Sequence, residues 1–69
     1  MKEVKISTEY IKLGQFLKFA AIIDSGAEAK DFLMENEVIV NGIKEERRGK
    51  KLYPGDVIEL FNEKYIIKA

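Results

Sequence analysis

The stretch that decides the fold begins Glu37-Val-Ile-Val-Asn-Gly42, continues through Arg47-Arg-Gly-Lys-Lys51 and ends Pro54-Gly-Asp-Val-Ile-Glu-Leu60. Its two β-branched runs are typical of short strands. Each run adjoins a turn signal, because Asn-Gly favours a two-residue hairpin turn and Pro-Gly fits the central positions of a type II turn. The residues between the runs, Arg47 to Lys51, are basic and broken by glycine, which predicts a loop or strand edge. We call them the basic segment.

The residues before this stretch predict a strand and then a helix. Val4 and Ile6 alternate with polar residues, which indicates a short strand over Glu3 to Ile6. Gly14, early in the helix, is interpreted as a tolerated first-turn glycine, with close approach of another backbone or of a ligand phosphate as the less favoured alternative. The helix itself is predicted by apolar residues that recur at helical spacing, namely Leu13, Phe16, Leu17, Ala20 and Ala21.

A second helix is predicted over Gly26 to Met34, burying Ala29, Phe32 and Leu33. Ser25 with Glu28 three residues later is a capping box, which makes Ser25 the N-cap. A helix start can also bind an anion, but the Glu28 carboxylate competes for the same donors, so the capping role is favoured. Asn36 is expected to end the helix in the left-handed region.

The remaining residues predict the closing strands and the core. Val57 to Leu60 and Tyr65 to Ile67 are predicted strands, joined by a turn over Asn62 to Lys64. Asn41 and Asp56 are interpreted as turn residues. The predicted fold is α+β, a two-helix unit on a small, mostly antiparallel sheet within one domain spanning residues 1–69. Tyr10 is expected at the surface, and the core is expected to hold Phe16, Phe32, Tyr53, Phe61 and Tyr65.

Composition narrows the classes of function. The chain has no cysteine and no histidine, which excludes Cys/His zinc sites and imidazole catalysis. Its carboxylates show no paired spacing and the domain is too small to enclose a sizeable pocket, so we expect no enzyme activity, no cofactor and no small-molecule substrate. No apolar run approaches the roughly 20 residues that span a bilayer, and the N-terminus lacks a signal-peptide apolar region. We therefore expect a cytoplasmic protein without a membrane partner.

The charge of the chain gives a weaker indication of its function. Lysine plus arginine and aspartate plus glutamate number 12 each, so the formal net charge is zero. The basic residues Arg47, Arg48, Lys50 and Lys51 are clustered, and a neutral total can hide a bipolar surface. Arginine and lysine can bind phosphate, yet such a run is more often a solvated loop, and that interpretation is favoured on charge alone.

Four blocks of sequence together resemble a known family. They are Leu13-Gly-Gln-Phe-Leu-Lys18, Ser25-Gly-Ala-Glu-Ala-Lys30, Val38-Ile-Val-Asn-Gly42 and Leu52-Tyr-Pro-Gly-Asp-Val-Ile58. Their order and spacing resemble the RNA-binding domain family named after ribosomal small-subunit protein four. The basic segment with Leu52 and Tyr53 is similar to its short stand-alone bacterial members of the YaaA type. The resemblance covers roughly residues 8–61.

The resemblance implies a non-catalytic αL RNA-binding motif that docks on structured RNA, ribosomal or tRNA-like, with the ribosome as a candidate partner. The chain departs from many members at Gly14, where they have aspartate, and at Gly26, where they have arginine. The helix starts and the hairpin would face the RNA, through Lys12, Gln15, Lys18, Ser25, Gly26, Lys30, Arg47 and Arg48. Lys50 and Lys51 join this set because of their charge.

Two other classes of function are considered. A protein-interaction adaptor without an RNA role fits the neutral net charge. The Val-Ile-Val-Asn-Gly and Leu-x-x-Gly-Asp-x-Ile-Glu patterns also resemble the second half of ubiquitin-like β-grasp sulfur carriers. Those proteins need a C-terminal Gly-Gly, whereas this sequence ends Ile67-Lys68-Ala69, so the sulfur-carrier hypothesis is disfavoured.

Overall fold

The computed structural model describes residues 1–69 and contains two sheets and two α-helices. Helices α1 and α2 span Leu13–Phe19 and Ala29–Glu35. The strands are β1 (Lys2–Lys5), β2 (Ile11–Lys12), β3 (Ile39–Val40), β4 (Ile43–Lys44), β5 (Lys51–Leu52), β6 (Val57–Leu60) and β7 (Glu63–Lys68). The five-stranded sheet has the order β1-β7-β6-β3-β4, and β2 pairs with β5 alone. Only the β1–β7 pair is parallel. The predicted α+β fold with a mostly antiparallel sheet is confirmed.

The core between the helices and the larger sheet is entirely apolar. It contains 14 buried hydrophobic residues and no buried polar or charged residue. Leu13, Phe16 and Leu17 lie on one face of α1 and are fully buried, as their helical spacing predicts. The Phe16 ring meets Tyr65 of β7 edge-on with centroids 5.3 Å apart, which joins the helix to the sheet. No helix is both long enough and apolar enough to cross a membrane.

Helix α1 ends earlier than its apolar stripe predicts. Ala21 has a φ of 61°, and its N–H donates to the Lys18 carbonyl at 3.0 Å. The Ile22 N–H reaches back to the Leu17 carbonyl at 2.9 Å. These two bonds form a Schellman motif with alanine in the position that glycine usually occupies. Ala20 is half-buried and packs against the core, as the stripe predicts. The prediction that Ala21 continues the stripe was wrong, because Ala21 is exposed.

The second helix starts as predicted and ends differently. Gly26–Glu28 forms one 3₁₀ turn that leads into α2, and Ser25 precedes it with the capping box intact. At the other end Asn36 is extended, with a φ of −129°, so the left-handed exit was wrong. The Asn36 side-chain amide instead donates to the Phe32 carbonyl at 3.1 Å, which satisfies a terminal carbonyl without a left-handed residue.

Two of the turns in the deciding stretch form as predicted and are tied together. Asn41 and Gly42 both have positive φ, 50° and 84°, the type I′ geometry of a tight hairpin. Gly55 has a φ of 98°, and the Asp56 N–H donates to the Tyr53 carbonyl at 2.9 Å, as in a type II turn. The Asn41 amide donates to the Asp56 carboxylate at 3.0 Å. Both residues therefore act as turn residues.

The hairpin between β6 and β7 differs from the prediction by one residue. Leu60 pairs with Glu63, which leaves Phe61 and Asn62 as a two-residue turn with φ of 50° and 61°. Phenylalanine is rare in this region because its Cβ crowds the backbone, so the sequence predicts a turn that starts one residue later, at Asn62. The Phe61 side chain is 64% exposed, and its assignment to the core was wrong.

The other aromatic residues divide between core and surface. Phe16 is fully buried, while Phe32 and Tyr65 are half-buried and pack against the core. Tyr53 is 42% exposed, so its assignment to the core was also wrong. Tyr53 follows β5, whose partner β2 is only two residues long, and no further strand covers its ring.

Candidate nucleic-acid interface

The basic segment is fastened to the start of α1 by backbone hydrogen bonds. The Gly14 N–H donates to the Arg48 carbonyl at 2.9 Å, and the Leu13 N–H donates to the Lys50 carbonyl at 2.8 Å. Directly beside these bonds, Lys12 pairs with Lys51 in the short β2–β5 ladder. The segment therefore covers the first turn of α1, and its side chains are held near those of the helix.

Gly14 makes this close approach possible. It is buried, and a Cβ added there would lie 3.3 Å from the Cβ of Ala29 and 3.4 Å from both the Cβ and the carbonyl oxygen of Arg48. The 3.3 Å contact with Ala29 is tighter than ordinary van der Waals packing, and the two contacts with Arg48 lie at its lower limit. The alternative that we disfavoured from the sequence, close approach of another backbone, is therefore correct.

A groove of about 340 Å³ opens where α1, the start of the second helical segment and the basic segment meet. Three of its side chains are cationic, those of Lys12, Lys18 and Arg48, and none is acidic. None of the three cations has a carboxylate partner within 4.0 Å. We call this site the basic groove, and its lining residues are Lys12, Gly14, Gln15, Lys18, Gly26, Ala29, Arg48 and Gly49.

The backbone donors at the start of α1 are occupied, and at the start of the second helical segment the Ser25 N–H is also occupied. The Lys12 N–H donates to the Gln15 side chain at 3.1 Å, and the next two N–H groups bind the carbonyls of the basic segment. The Glu28 carboxylate accepts from the Ser25 N–H at 3.1 Å and from its hydroxyl at 3.3 Å. The favoured capping role of Ser25 is therefore confirmed, and an anion in the groove would meet the side-chain cations of Lys12, Lys18 and Arg48.

Arg47 lies outside the basic groove, paired with an acid. Its Nε donates to Glu45 at 3.0 Å and its second guanidinium nitrogen donates at 3.1 Å. The backbone N–H of Arg47 binds the same carboxylate at 3.0 Å. These hydrogen bonds, together with the nearby positive charge, lower the pKa of Glu45 from 4.5 to about 2. The same pair raises the pKa of Arg47, so Glu45 compensates its charge locally.

The Glu45–Arg47 pair gives a pH prediction. Because the folded-state pKa of Glu45 is depressed, its contribution to stability is complete above the unfolded value and is lost as pH falls from about 4.5 toward 2. We expect Glu45→Gln to lower the melting temperature near neutral pH, and the difference from the unmodified chain to shrink over that acid range. Thermal unfolding of both proteins across this range tests it, and a difference independent of pH would contradict the assignment.

Five of the ten predicted RNA-binding residues line the basic groove: Lys12, Gln15, Lys18, Gly26 and Arg48. Lys50 and Lys51 continue from its edge along the docked segment. The Lys51 ammonium lies 4.8 Å from the centre of the Tyr10 ring. Lys30 is exposed on α2 next to the groove residue Ala29, and Ser25 is held in its cap. No position in the predicted set is buried away from solvent.

The predicted RNA-binding set omits three small residues that line the groove, although the sequence raises close approach at Gly14 as an alternative. Gly14, Ala29 and Gly49 supply no charge, but their size lets the two helical segments and the basic segment meet. A signal existed for Gly14, since glycine in a helix carries a cost that usually has a packing or functional reason. The sequence places Ala29 on the buried face of the second helix, and no local sequence feature indicates that it also lines the groove.

The acidic residues gather at a different place. A depression of about 610 Å³ is lined by four glutamates, Glu35, Glu37, Glu59 and Glu63, with one lysine and the exposed Phe61. The basic groove contains none of these residues. The zero net charge of the chain therefore conceals separate basic and acidic surfaces, as the clustering of the basic residues suggested.

Comparisons with known proteins agree with this geometry. The family profile described as S4 domain matches residues 4–68. The chain is also similar to the probable ribosome maturation protein RlbA of Bacillus subtilis (strain 168). The two are 58% identical over 57 residues, which cover 83% of this chain and 80% of the relative. The match includes the docked basic segment, both helices and most of the larger sheet. The chain belongs to the S4 domain family.

Proposed function

We propose that the chain is a non-catalytic module that binds structured RNA of the ribosome or its precursors through the basic groove and the adjoining Lys50 and Lys51. The observation that carries the proposal is the groove itself, with its unpaired cations Lys12, Lys18 and Arg48 and no acid. The S4 domain match and the relative's ribosome maturation name support it. Such a partner would place the chain in the cytoplasm.

The arrangement suits a folded RNA better than an extended strand. The groove is backed by two helical segments and a hydrogen-bonded segment, so the backbone positions that carry its cations are fixed relative to one another. Proteins recognise structured RNA largely by shape and by contacts to phosphate and the 2′-hydroxyl. Arg48 can offer a bidentate fork to one phosphate and the lysines point charges to others. Gln15 is an uncharged donor and acceptor within reach of the same backbone.

Salt dependence tests this proposal. Three groove cations with Lys50 and Lys51 could neutralise about three to five phosphates, which predicts a log–log slope of affinity against salt of roughly −2 to −4. The measurement uses purified protein and transcribed ribosomal RNA, with affinity determined across a salt series. A slope near zero, or no binding at low salt, would contradict the proposed function.

A protein-interaction adaptor is the second candidate, favoured by the acidic depression with its exposed Phe61. Large exposed apolar groups rimmed by charge often mark protein interfaces. The two candidate functions predict different effects of ribonuclease on the partners that co-purify with the chain. Partners that co-purify with the chain should be released by ribonuclease if RNA holds them, and partners that remain bound unchanged would favour the adaptor.

A further inference from the structure

A second depression adjoins the basic groove. Lys12, Gln15 and Lys18 line both, whereas Gly26 and Arg48 line the groove alone. The second depression measures about 780 Å³ and is open to solvent. Its apolar surface comes from Tyr10, Ile11 and Phe19. We call it the aromatic cleft. It shares its three α1-proximal polar residues with the basic groove, so the two sites form one continuous surface.

The exposure of Phe19 in this cleft is not explained by the packing of the fold. It ends α1, its side chain is 60% exposed, and no other aromatic ring packs against it. Phe61, which is similarly exposed, at least meets Phe32 edge-on with centroids 5.8 Å apart. An uncovered phenylalanine beside lysines has an apolar face available to a ligand that also carries negative charge.

Tyr10 is held in position on the other wall. The Lys51 ammonium lies 4.8 Å from its ring centre, and the Tyr53 ring is tilted against it with centroids 5.8 Å apart. The Tyr10 carbonyl accepts a hydrogen bond from the Thr8 hydroxyl at 2.8 Å. These contacts order the Tyr10 ring as one wall of the cleft before a ligand binds, and the exposed Phe19 ring offers the stacking face.

The cleft also contains a carboxylate, that of Glu9. Glu9 disfavours a phosphate inside the cleft, but a carboxylate accepts hydrogen bonds from the amino groups on base edges. Phosphates fit beside the cleft, at Lys12 and Lys18. These features match the chemistry of a nucleotide. The aromatic rings and the Glu9 carboxylate suit a base that is turned into the cleft, and the two lysines suit a phosphate that remains outside.

We propose that the aromatic cleft binds one unpaired nucleobase of the RNA whose structured part occupies the basic groove. This inference rests on the proposed function. Splayed-out bases in RNA complexes commonly stack on aromatic side chains, and each stacked base contributes the equivalent of roughly 5- to 100-fold in affinity. The chain then distinguishes a helix that ends in an unpaired nucleotide from a fully paired one.

Two RNA hairpins with the same stem test the proposal, one blunt and one with a short single-stranded tail that contains a single 2-aminopurine. We expect the unmodified protein to bind the tailed hairpin roughly 5- to 100-fold more tightly, with quenching of the 2-aminopurine fluorescence on stacking. Phe19→Ala should remove the preference and the quenching while leaving affinity for the blunt hairpin unchanged. Tyr10→Leu, which also removes the ring beside Lys51, should likewise remove the preference and the quenching. Circular dichroism shows whether each variant remains folded.

Phe61→Ala is the matched control, because Phe61 is as exposed as Phe19 but lines the acidic depression. It should retain both the preference and the quenching. Equal binding of the two hairpins by the unmodified protein would overturn this inference and leave the proposed function standing. A preference that survives both cleft variants would also overturn it. Binding of neither hairpin at low salt would overturn the proposed function, and the inference with it.

Discussion

Lys18→Glu combined with Arg48→Glu should weaken RNA binding roughly 25- to 60-fold at about 0.1 M salt, because two phosphate contacts and the counterions they release are lost. The log–log salt slope should become shallower by about 1.5 to 2 for the same reason. Both side chains are exposed and unpaired, so the melting temperature should change little. Affinity measured across a salt series checks both the loss and the slope.

The control for this double variant is Lys64→Glu combined with Lys68→Glu, which changes the net charge by the same amount. Lys64 and Lys68 are exposed on β7 and do not line the basic groove. Their reversal should alter affinity far less, since only long-range electrostatics change. Equal losses in the two variants would mean that total charge, and not the groove, governs binding.

Gly14→Val should destabilise the fold and disrupt the groove together. A side chain at this position must displace Ala29 or the backbone of Arg48, and overpacking of this kind costs about 1–3 kcal/mol. A single core in a chain this small rarely supplies more than about 3–5 kcal/mol, so much of the stability would be lost. We expect a lower denaturant midpoint, faster amide exchange at Leu13 and position 14, and weaker RNA binding by the protein that remains folded.

Gly26→Val provides the comparison for stability. Gly26 also lines the groove, but a Cβ there meets no atom within 4 Å, so the free energy of unfolding should change by about 0.5 kcal/mol or less. If Gly14→Val were as well tolerated as Gly26→Val, the docking of the basic segment on α1 would not be the contact that builds the site.

The elements with local signals could be predicted from the sequence. The Asn41-Gly42 and Pro54-Gly55 turns depend on residues that adopt positive φ or a fixed φ, and these preferences are intrinsic. The Ser25 capping box is likewise a matter of a few neighbouring residues. The helix α1 face formed by Leu13, Phe16 and Leu17 followed from periodicity alone.

The elements without local signals could not be predicted. Alanine and phenylalanine seldom adopt the left-handed conformation that Ala21 and Phe61 have here, so no local signal predicts the end of α1 or the inclusion of Phe61 in the last hairpin turn. The pairing of β2 with β5 brings together residues far apart in the chain, and each strand is too short to show a period. Tertiary packing, and not the local sequence, determines the backbone conformation and strand pairing at these positions.

The candidate site could be predicted only in part, because the contacts of its side chains also depend on tertiary packing. The identities of its cations followed from charge clustering and the family resemblance, but their partners required the fold. Arg47 and Arg48 are adjacent and look equivalent in sequence. In the structure Glu45 binds Arg47 at 3.0 Å, while Arg48 lines the basic groove. The aromatic cleft was not foreseen, because Tyr10 lies in the loop before β2 and Phe19 ends α1.

Ultraviolet crosslinking in cells, followed by mass spectrometry of the nucleotide-bearing peptides, tests the central claim most directly. RNA bound at the basic groove should leave adducts on peptides that contain Lys12 to Lys18 or Arg48 to Lys51, and the attached RNA should be ribosomal. Adducts confined to residues of the acidic depression, or the absence of adducts from a protein that still co-purifies with partners after ribonuclease, would contradict it.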